Sequence, residues 1–239
     1  MESIYNTIIF LHIEKTAGSS ISNLIANANN ASDILRINST PQLIKTISKQ
    51  PKKSYSAILG HFFYGIHLFG LSYHPYAYYT MLREPVDRFI SQYYYIKRAP
   101  LHHLHNLIND NNLTLAQFAS INQHTNQQII RLGYHIFRYG DRFDIKQSGN
   151  NILMMAKHTL AHLVKHFGIY EYFDESMHKL SKLIGMTIKD TPNENVTHNR
   201  PRVEDLETST LNTIRKSNAL DIELYEYAKR VFETRSTAF

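Results

Sequence analysis

The chain has 239 residues, a formal net charge of +6 and no cysteine. That length is enough to bury one sizeable core and predicts a single domain over 1–239, and the missing cysteine excludes disulfides, thiolate catalysis and thiolate metal ligation. The composition, 43% hydrophobic and 19% charged, is that of an ordinary globular protein. No apolar run approaches the roughly 18–20 residues of a membrane span, and the opening "MESIYNTIIFLHIEK" lacks the basic start and small-residue cleavage site of a secretory leader, so a cytoplasmic protein, at most peripheral to a membrane, is expected.

Residues 6–13, "NTIIFLHI", predict a buried strand, because the apolar residues are contiguous and β-branched. A helix is predicted over 19–28, where Ile21, Leu24, Ile25 and Ala28 share one face and Ser19 or Ser20 suits the cap. Residues 30–53 are polar and irregular, with one short helix around "PQLIKTISK". A second strand falls in 54–63, ending near Gly60-His61, and a third in 76–83, "YAYYTMLR". Pro85 suits the first turn of a helix that runs to Arg98, and Pro100 lies beyond its end.

The His- and Asn-rich stretch 99–112 predicts a loop or weak helix, and 113–121 a helix. A longer helix is predicted over 151–166. "FGIYEYF" follows as a fourth strand, then a helix over 174–185 with Asp174 or Ser176 near its cap. Residues 190–201 predict a loop, and two helices close the chain near 203–217 and 220–235. Strands alternating with helices predict an α/β fold with a central, mostly parallel sheet flanked by helices.

"HIEKTAGSS", residues 12–20, joins the first strand to the first helix. The first N–H groups of a helix have no intrahelical partner, and the helix dipole adds positive charge there. Such a junction binds phosphate or sulfate. Lys15 adds a full charge, Thr16, Ser19 and Ser20 add hydroxyls, and the small Ala17 and Gly18 let a ligand approach the backbone. The same letters also describe a plain capped helix with Lys15 in solvent. The nucleotide triphosphatase loop G-x-x-x-x-G-K-[ST] does not match, since the lysine here precedes the glycine. Nor does a carboxylate end a later strand to hold magnesium: those strands end in Gly60-His61 and Leu82-Arg83.

"MLREPVDRFISQYYYIKR", residues 81–98, is the second motif. Arg83 ends a strand and Ser91 lies two turns into the next helix, so the planar fork of one and the hydroxyl of the other can converge on one phosphate.

Together the two segments resemble the cofactor motifs of sulfotransferases that use 3′-phosphoadenosine 5′-phosphosulfate (PAPS). "FLHIEKTAGSS" is similar to their 5′-phosphosulfate loop and "LREPVDRFISQYYY" to their 3′-phosphate motif. The form looks like the carbohydrate branch that includes heparan sulfate 2-O- and uronyl 2-O-sulfotransferases and their soluble bacterial relatives. "ILGHF", "NQQIIRLG", "YEYFDESMHKLSKLIG" and "DIELYEYAKRVFE" extend the likeness more loosely over nearly the whole chain. It departs at Glu14, where the family usually has proline, and at Leu59, where the vertebrate enzymes carry a second histidine. An acid beside a phosphate loop is expected to point away from the ligand.

The resemblance implies a P-loop-like three-layer domain and sulfuryl transfer from PAPS to a carbohydrate hydroxyl, with no metal and no nucleic acid. It implies that Lys15 neutralises the leaving bridging oxygen, that residues 16–20 (Thr16, Ala17, Gly18, Ser19 and Ser20) hold the 5′-phosphate, and that Arg83 and Ser91 hold the 3′-phosphate. The acceptor hydroxyl needs a base, and His61 is the candidate, with Glu84 as a rival. Arg200, in the late basic loop "THNRPR", is a further cofactor candidate. One ring of Tyr93–Tyr95 suits the core and another the nucleotide. Asn126, Gln128 and Arg131 face either a ligand or solvent. His102, His103 and His105 read as a polar loop near the acceptor or, with His102 and His105 on one helical face, as a metal pair. Two other functions stay open: a P-loop kinase-like phosphotransferase and a non-catalytic polyanion binder suggested by the charge.

Overall fold

A computed structural model of the chain describes residues 4–49, 53–121, 124–134, 145–164, 166–185 and 200–236. Of the loop expected over 190–201, only Arg200 and Pro201 fall among them. In chain order the elements are β1 (Thr7–Leu11), α1 (Gly18–Asn27), β2 (Ile34–Ile37), α2 (Thr40–Lys49), β3 (Ala57–Gly60), β4 (Tyr76–Leu82), α3 (Pro85–Arg98), α4 (His105–Asp110), α5 (Leu115–Ala119), α6 (Gln127–Gly133), α7 (Ile145–His158), β5 (His166–Ile169), α8 (Phe173–Ile184), α9 (Thr208–Ser217) and α10 (Ala219–Ser236).

The five strands form one parallel sheet in the order β2-β3-β1-β4-β5. All five residues of β1 are buried, as a central parallel strand requires. Its alternate side chains build two cores. Ile8 and Phe10 pack with Ile21 and Ile25 of α1 and Leu180 and Leu183 of α8. Ile9 and Leu11 pack on the other face with α6, α7 and α10 through Ile129, Ala156 and Leu224. A third cluster, Phe89 and Ile96 of α3 with Phe118 of α5 and Ile214 of α9, sits beside this sandwich. The expected helix–sheet–helix layering is therefore present.

Several local expectations are corrected. Neither Ser19 nor Ser20 caps α1; the cap is Ala17, which has a left-handed backbone and no side-chain hydrogen bond, and both serines lie in the first turn. The polar stretch 30–53 holds a strand, β2, at the sheet edge, where only Ile37 is buried. β5 stops at Ile169 rather than 173, because the Ser176 hydroxyl accepts from the Ile169 N–H and donates to its carbonyl, both at 2.9 Å. That use of Ser176 leaves α8 without a side-chain cap. The helix expected over 151–166 starts earlier, at Ile145, and winds out through a π-helical turn over Thr159–Leu163. The helix expected from 203 opens as a 3₁₀ turn, Val203–Asp205, and becomes α-helical at Thr208.

The strand order places the site. β1 lies between β3 and β4, and the chain leaves β1 toward one side of the sheet and later builds the other. Such a switch point opens a crevice beyond the carboxyl ends of the strands. The segments after β3, β1 and β4 carry His61, Lys15 and Arg83, so the expected site residues emerge from three adjacent strands. Gly60 is required here. Its φ is +147°, and a β-carbon would lie 1.8 Å from the Ile37 carbonyl oxygen, which accepts the His61 N–H at 2.9 Å.

Candidate active site

The loop after β1 is tightly wound. Lys15 and Ala17 both have positive φ, 68° and 62°, a conformation that costs non-glycine residues energy and that clusters at functional sites. Thr16 is fully buried, and its hydroxyl donates to the Ile13 carbonyl at 2.8 Å. That bond ties the loop. Gly18 must be small for packing: a β-carbon there would stand 1.7 Å from Nε2 of His12, whose ring lies on this position. The first turn of α1 has no side-chain cap, so its N–H groups face the loop's mouth.

Arg83 reaches this loop. Its Nη1 donates to the Lys15 carbonyl at 2.9 Å and its Nε to Asp87 Oδ2 at 2.9 Å, while the guanidinium lies 4.2 Å from the centre of the Tyr170 ring. The backbone of Arg83 is clamped as well. Its N–H donates to Gln128 Oε1 and its carbonyl accepts from Gln128 Nε2, both at 3.0 Å. The Glu84 N–H donates to Glu171 at 2.9 Å. The Glu84 carboxylate accepts from the N–H groups of Val86 and Asp87, so this rival base is the cap of α3. Arg200 joins the group by an ion pair to Asp87 Oδ1.

Positive charge is concentrated around Lys15. Its ammonium sits 4.3 Å over the Tyr95 ring. Burial first, then Arg83, Arg98 and Arg200, pull its pKa down to about 8. Asp87 lies between Arg83 and Arg200; burial would raise its carboxyl, but the two guanidiniums hold it below the usual range. One carboxylate thus bridges two of four clustered cations, an arrangement that an anionic ligand stabilises.

His61 lies on the other side of the loop. Its Nδ1 is 3.0 Å from the His12 carbonyl, which can only accept, so Nδ1 carries the hydrogen and Nε2 the lone pair. The His12 ring stacks on His61 with centroids 4.1 Å apart. Glu14 Oε1 stands 3.5 Å from His61 Nδ1 and pairs with Arg131 of α6. Burial lowers the His61 pKa below its ordinary value, Glu14 and the His12 carbonyl pull it back up, and Arg131 lowers it further. Burial and then His61 bring His12 down to about 3, which keeps it neutral. Burial would raise Glu14, but Arg131 and then His61 outweigh it and hold the carboxyl at about 2.

Ser91 lies on α3, as expected, and is 2% exposed, while the Arg83 guanidinium bonds Asp87 and the Lys15 carbonyl. Gln128 is fully buried as the Arg83 clamp, and Asn126 bonds Ser217, Asn218 and Asp221, so neither faces a ligand or solvent. Helix α4 begins at His105, so His102 and His105 do not share a helical face, and His105 Nδ1 bonds the Ile96 carbonyl at 3.0 Å. His102 packs edge-on to Tyr95 and stacks on His103. The residues that sequence reasoning missed are His12, Asp87, Arg98 and Tyr170. Asp87, four residues after Arg83 on a helix, carried a readable ion-pair spacing.

The sulfotransferase family model matches residues 4–228. The chain belongs to the sulfotransferase family. No curated protein sequence matches it. Among solved structures, it is similar to mouse sulfotransferase SULT7A1 complexed with PAP, at 12% identity and a TM-score of 0.43 over 91% of this chain. It spans 64% of the length of that protein. Among the described residues, no helix is long and apolar enough to cross a membrane.

Proposed function

We propose that the protein transfers the sulfuryl group of PAPS to a hydroxyl of a carbohydrate. The observation that carries this reading is the meeting of the two motifs: Arg83 Nη1 bonds the Lys15 carbonyl, and Lys15, Arg83, Arg98 and Arg200 form one cationic cluster at the switch point. A donor with phosphate at both ends suits such a cluster beside an uncapped helix N-terminus. The backbone of residues 16–20 and Lys15 would hold the 5′ end, Arg83 and Arg200 the 3′-phosphate, and the Tyr95 and Tyr170 rings offer flat faces nearby. Ser91 belongs to this reading through its motif position.

When bound, PAPS supplies a sulfuryl group on a good leaving group, so the protein's work is mainly positioning and charge stabilisation. Lys15 meets the negative charge that develops on the bridging oxygen. His61, neutral at pH 7 and presenting a free Nε2, accepts the acceptor's proton. The carbohydrate as acceptor rests on the likeness of "ILGHF" and "LREPVDRFISQYYY" to the carbohydrate branch. A cytoplasmic location goes with this reading, since a chain without cysteine gains nothing from an oxidising compartment.

The test is turnover and binding with PAPS against ATP–Mg²⁺, followed by a panel of glycans as acceptors. PAPS consumption that depends on a glycan is the expected result. Turnover of ATP without PAPS use would overturn the reading in favour of a phosphotransferase. Tight, steeply salt-dependent binding of long polyanions with no PAPS affinity would overturn it in favour of a binding protein.

A further inference from the structure

Position 14 is where this chain leaves the pattern its loop resembles, and the structure gives that glutamate three partners. Arg131 of α6 binds its Oε1, His61 Nδ1 stands 3.5 Å from the same oxygen, and Arg88 of α3 acts on it from the protein interior. Its second oxygen, Oε2, is buried without a hydrogen-bond partner among the described residues, so the salt bridge to Arg131 sets its orientation. Arg131 is itself seated 5.4 Å from the centre of the Phe63 ring, two residues after His61. Among the described residues, the charged and titratable groups that act on the His61 ring are His12 and Glu14 from the β1 loop and Arg131 from α6, while Arg88 and His102 interact electrostatically with Glu14.

We propose that Glu14 is the positioning residue of His61: with the His12 carbonyl it holds the Nδ1–H side of the ring, so that Nε2 is presented to the acceptor. This rests on the sulfotransferase reading above. In the step it serves, the acceptor oxygen bonds to sulfur and the bridging S–O bond breaks, leaving its electron pair on the departing phosphate. The acceptor proton moves to His61 Nε2. The imidazolium so formed keeps Nδ1–H directed at a carboxylate and a carbonyl, both of which favour the charged ring. Glu14 does not compete for the proton, because Arg131 holds its carboxyl at about 2. His12, stacked on the ring and neutral, blocks the opposite face.

The test compares the parent with Glu14→Gln and, as a second variant that keeps the charge but loosens the clamp, Arg131→Lys. Nitrogen-15 shifts of the histidine rings report the tautomer without any turnover. The parent is expected to show His61 as Nδ1–H, and Glu14→Gln a mixed tautomer with a lower His61 pKa. In kinetics, Glu14→Gln should keep PAP affinity within about threefold while kcat falls about tenfold. The acid limb of kcat should move to lower pH, since the carboxylate that raises His61 is gone. An Nε2–H tautomer in the parent, or a tautomer, kcat and acid limb unchanged in both variants, overturns the proposal. Full turnover in His61→Ala also overturns the proposal, because the ring that Glu14 positions would then be dispensable; no use of PAPS by the parent instead overturns the functional reading, while the nitrogen shifts still decide where Glu14 acts.

Discussion

The two sides of the β1 loop are built on opposite electrostatic principles. On one side, Lys15, Arg83, Arg98 and Arg200 gather with Asp87 bridging only two of them, and Lys15 is pulled down to about 8 by burial and by its cationic neighbours. On the other, the charges close on themselves: Glu14 pairs with Arg131 and His61, and His12 is held neutral. The first region is stabilised by an incoming anion. The second is already settled and offers one free ring nitrogen. One short loop thus divides its labour, with charge neutralisation given to Lys15 and proton handling prepared by Glu14 and His12, one and three residues earlier.

The largest break in this contrast comes from Lys15→Ala. It removes the cation nearest the developing charge and should lower kcat by about 10²–10³-fold, a loss of about 3–4 kcal/mol of transition-state stabilisation. The nitrogen-15 shifts of His61 should not move. A variant that loses the His61 tautomer along with turnover would show that the two sides are not separate. Gly18→Ala tests the seam between them. A β-carbon would overlap the His12 ring, so either α1 or the ring shifts. The expected cost is about 1–3 kcal/mol of stability in urea unfolding, with PAP affinity and the His61 tautomer disturbed together.

Gln128→Ala sharpens the contrast on the cationic side alone. It leaves the buried N–H and carbonyl of Arg83 without partners, which should cost about 1–3 kcal/mol. PAP binding by calorimetry should weaken as Arg83 loses its fixed backbone, with the His61 shifts unchanged. An unaltered PAP affinity in a folded variant would show that the clamp matters only for stability.

What the sequence disclosed follows from how each contact is made. The strand–loop–helix at 7–27 and the Arg83 segment are legible because the groups that face an anion lie at the ends of neighbouring elements in contiguous stretches. β1 is legible because it is buried on both faces, whereas β2, with only Ile37 buried, has no apolar run to betray it. The partners that fix the site are distant in the chain: Arg83 and Gln128 are 45 residues apart, Asp87 and Arg200 113, and Glu14 and Arg131 117. No local period encodes such pairings, so Gln128 and Arg131 read as polar letters on a helix. Gly18 reads in the sequence as room for a ligand, whereas the ring of His12, which also fills the space beside it, meets it only once β1 and α1 are packed.

The smallest effects separate the two sides by pH. Below pH 6.5 the unfolded chain protonates a histidine at position 12, while the folded protein keeps it neutral down to about 3. The unfolded state then binds more protons, so stability falls as pH falls from 6.5, by about 1 kcal/mol between pH 7 and 5.5 from this residue. His12→Phe, which keeps a ring over Gly18, should flatten that slope in urea unfolding; an unchanged slope would remove His12 as its source. Lys15 acts in the opposite window. Its folded pKa of about 8 lies below the ordinary 10.5, so between these values the unfolded chain again binds more protons and stability rises with pH. PAP affinity should fall over the same window, because the anion binds the protonated lysine, and calorimetry in buffers of different ionisation enthalpy should register proton uptake on binding. Affinity that holds level to pH 9.5, with no proton uptake, would mean that the ligand does not meet the Lys15 charge at all.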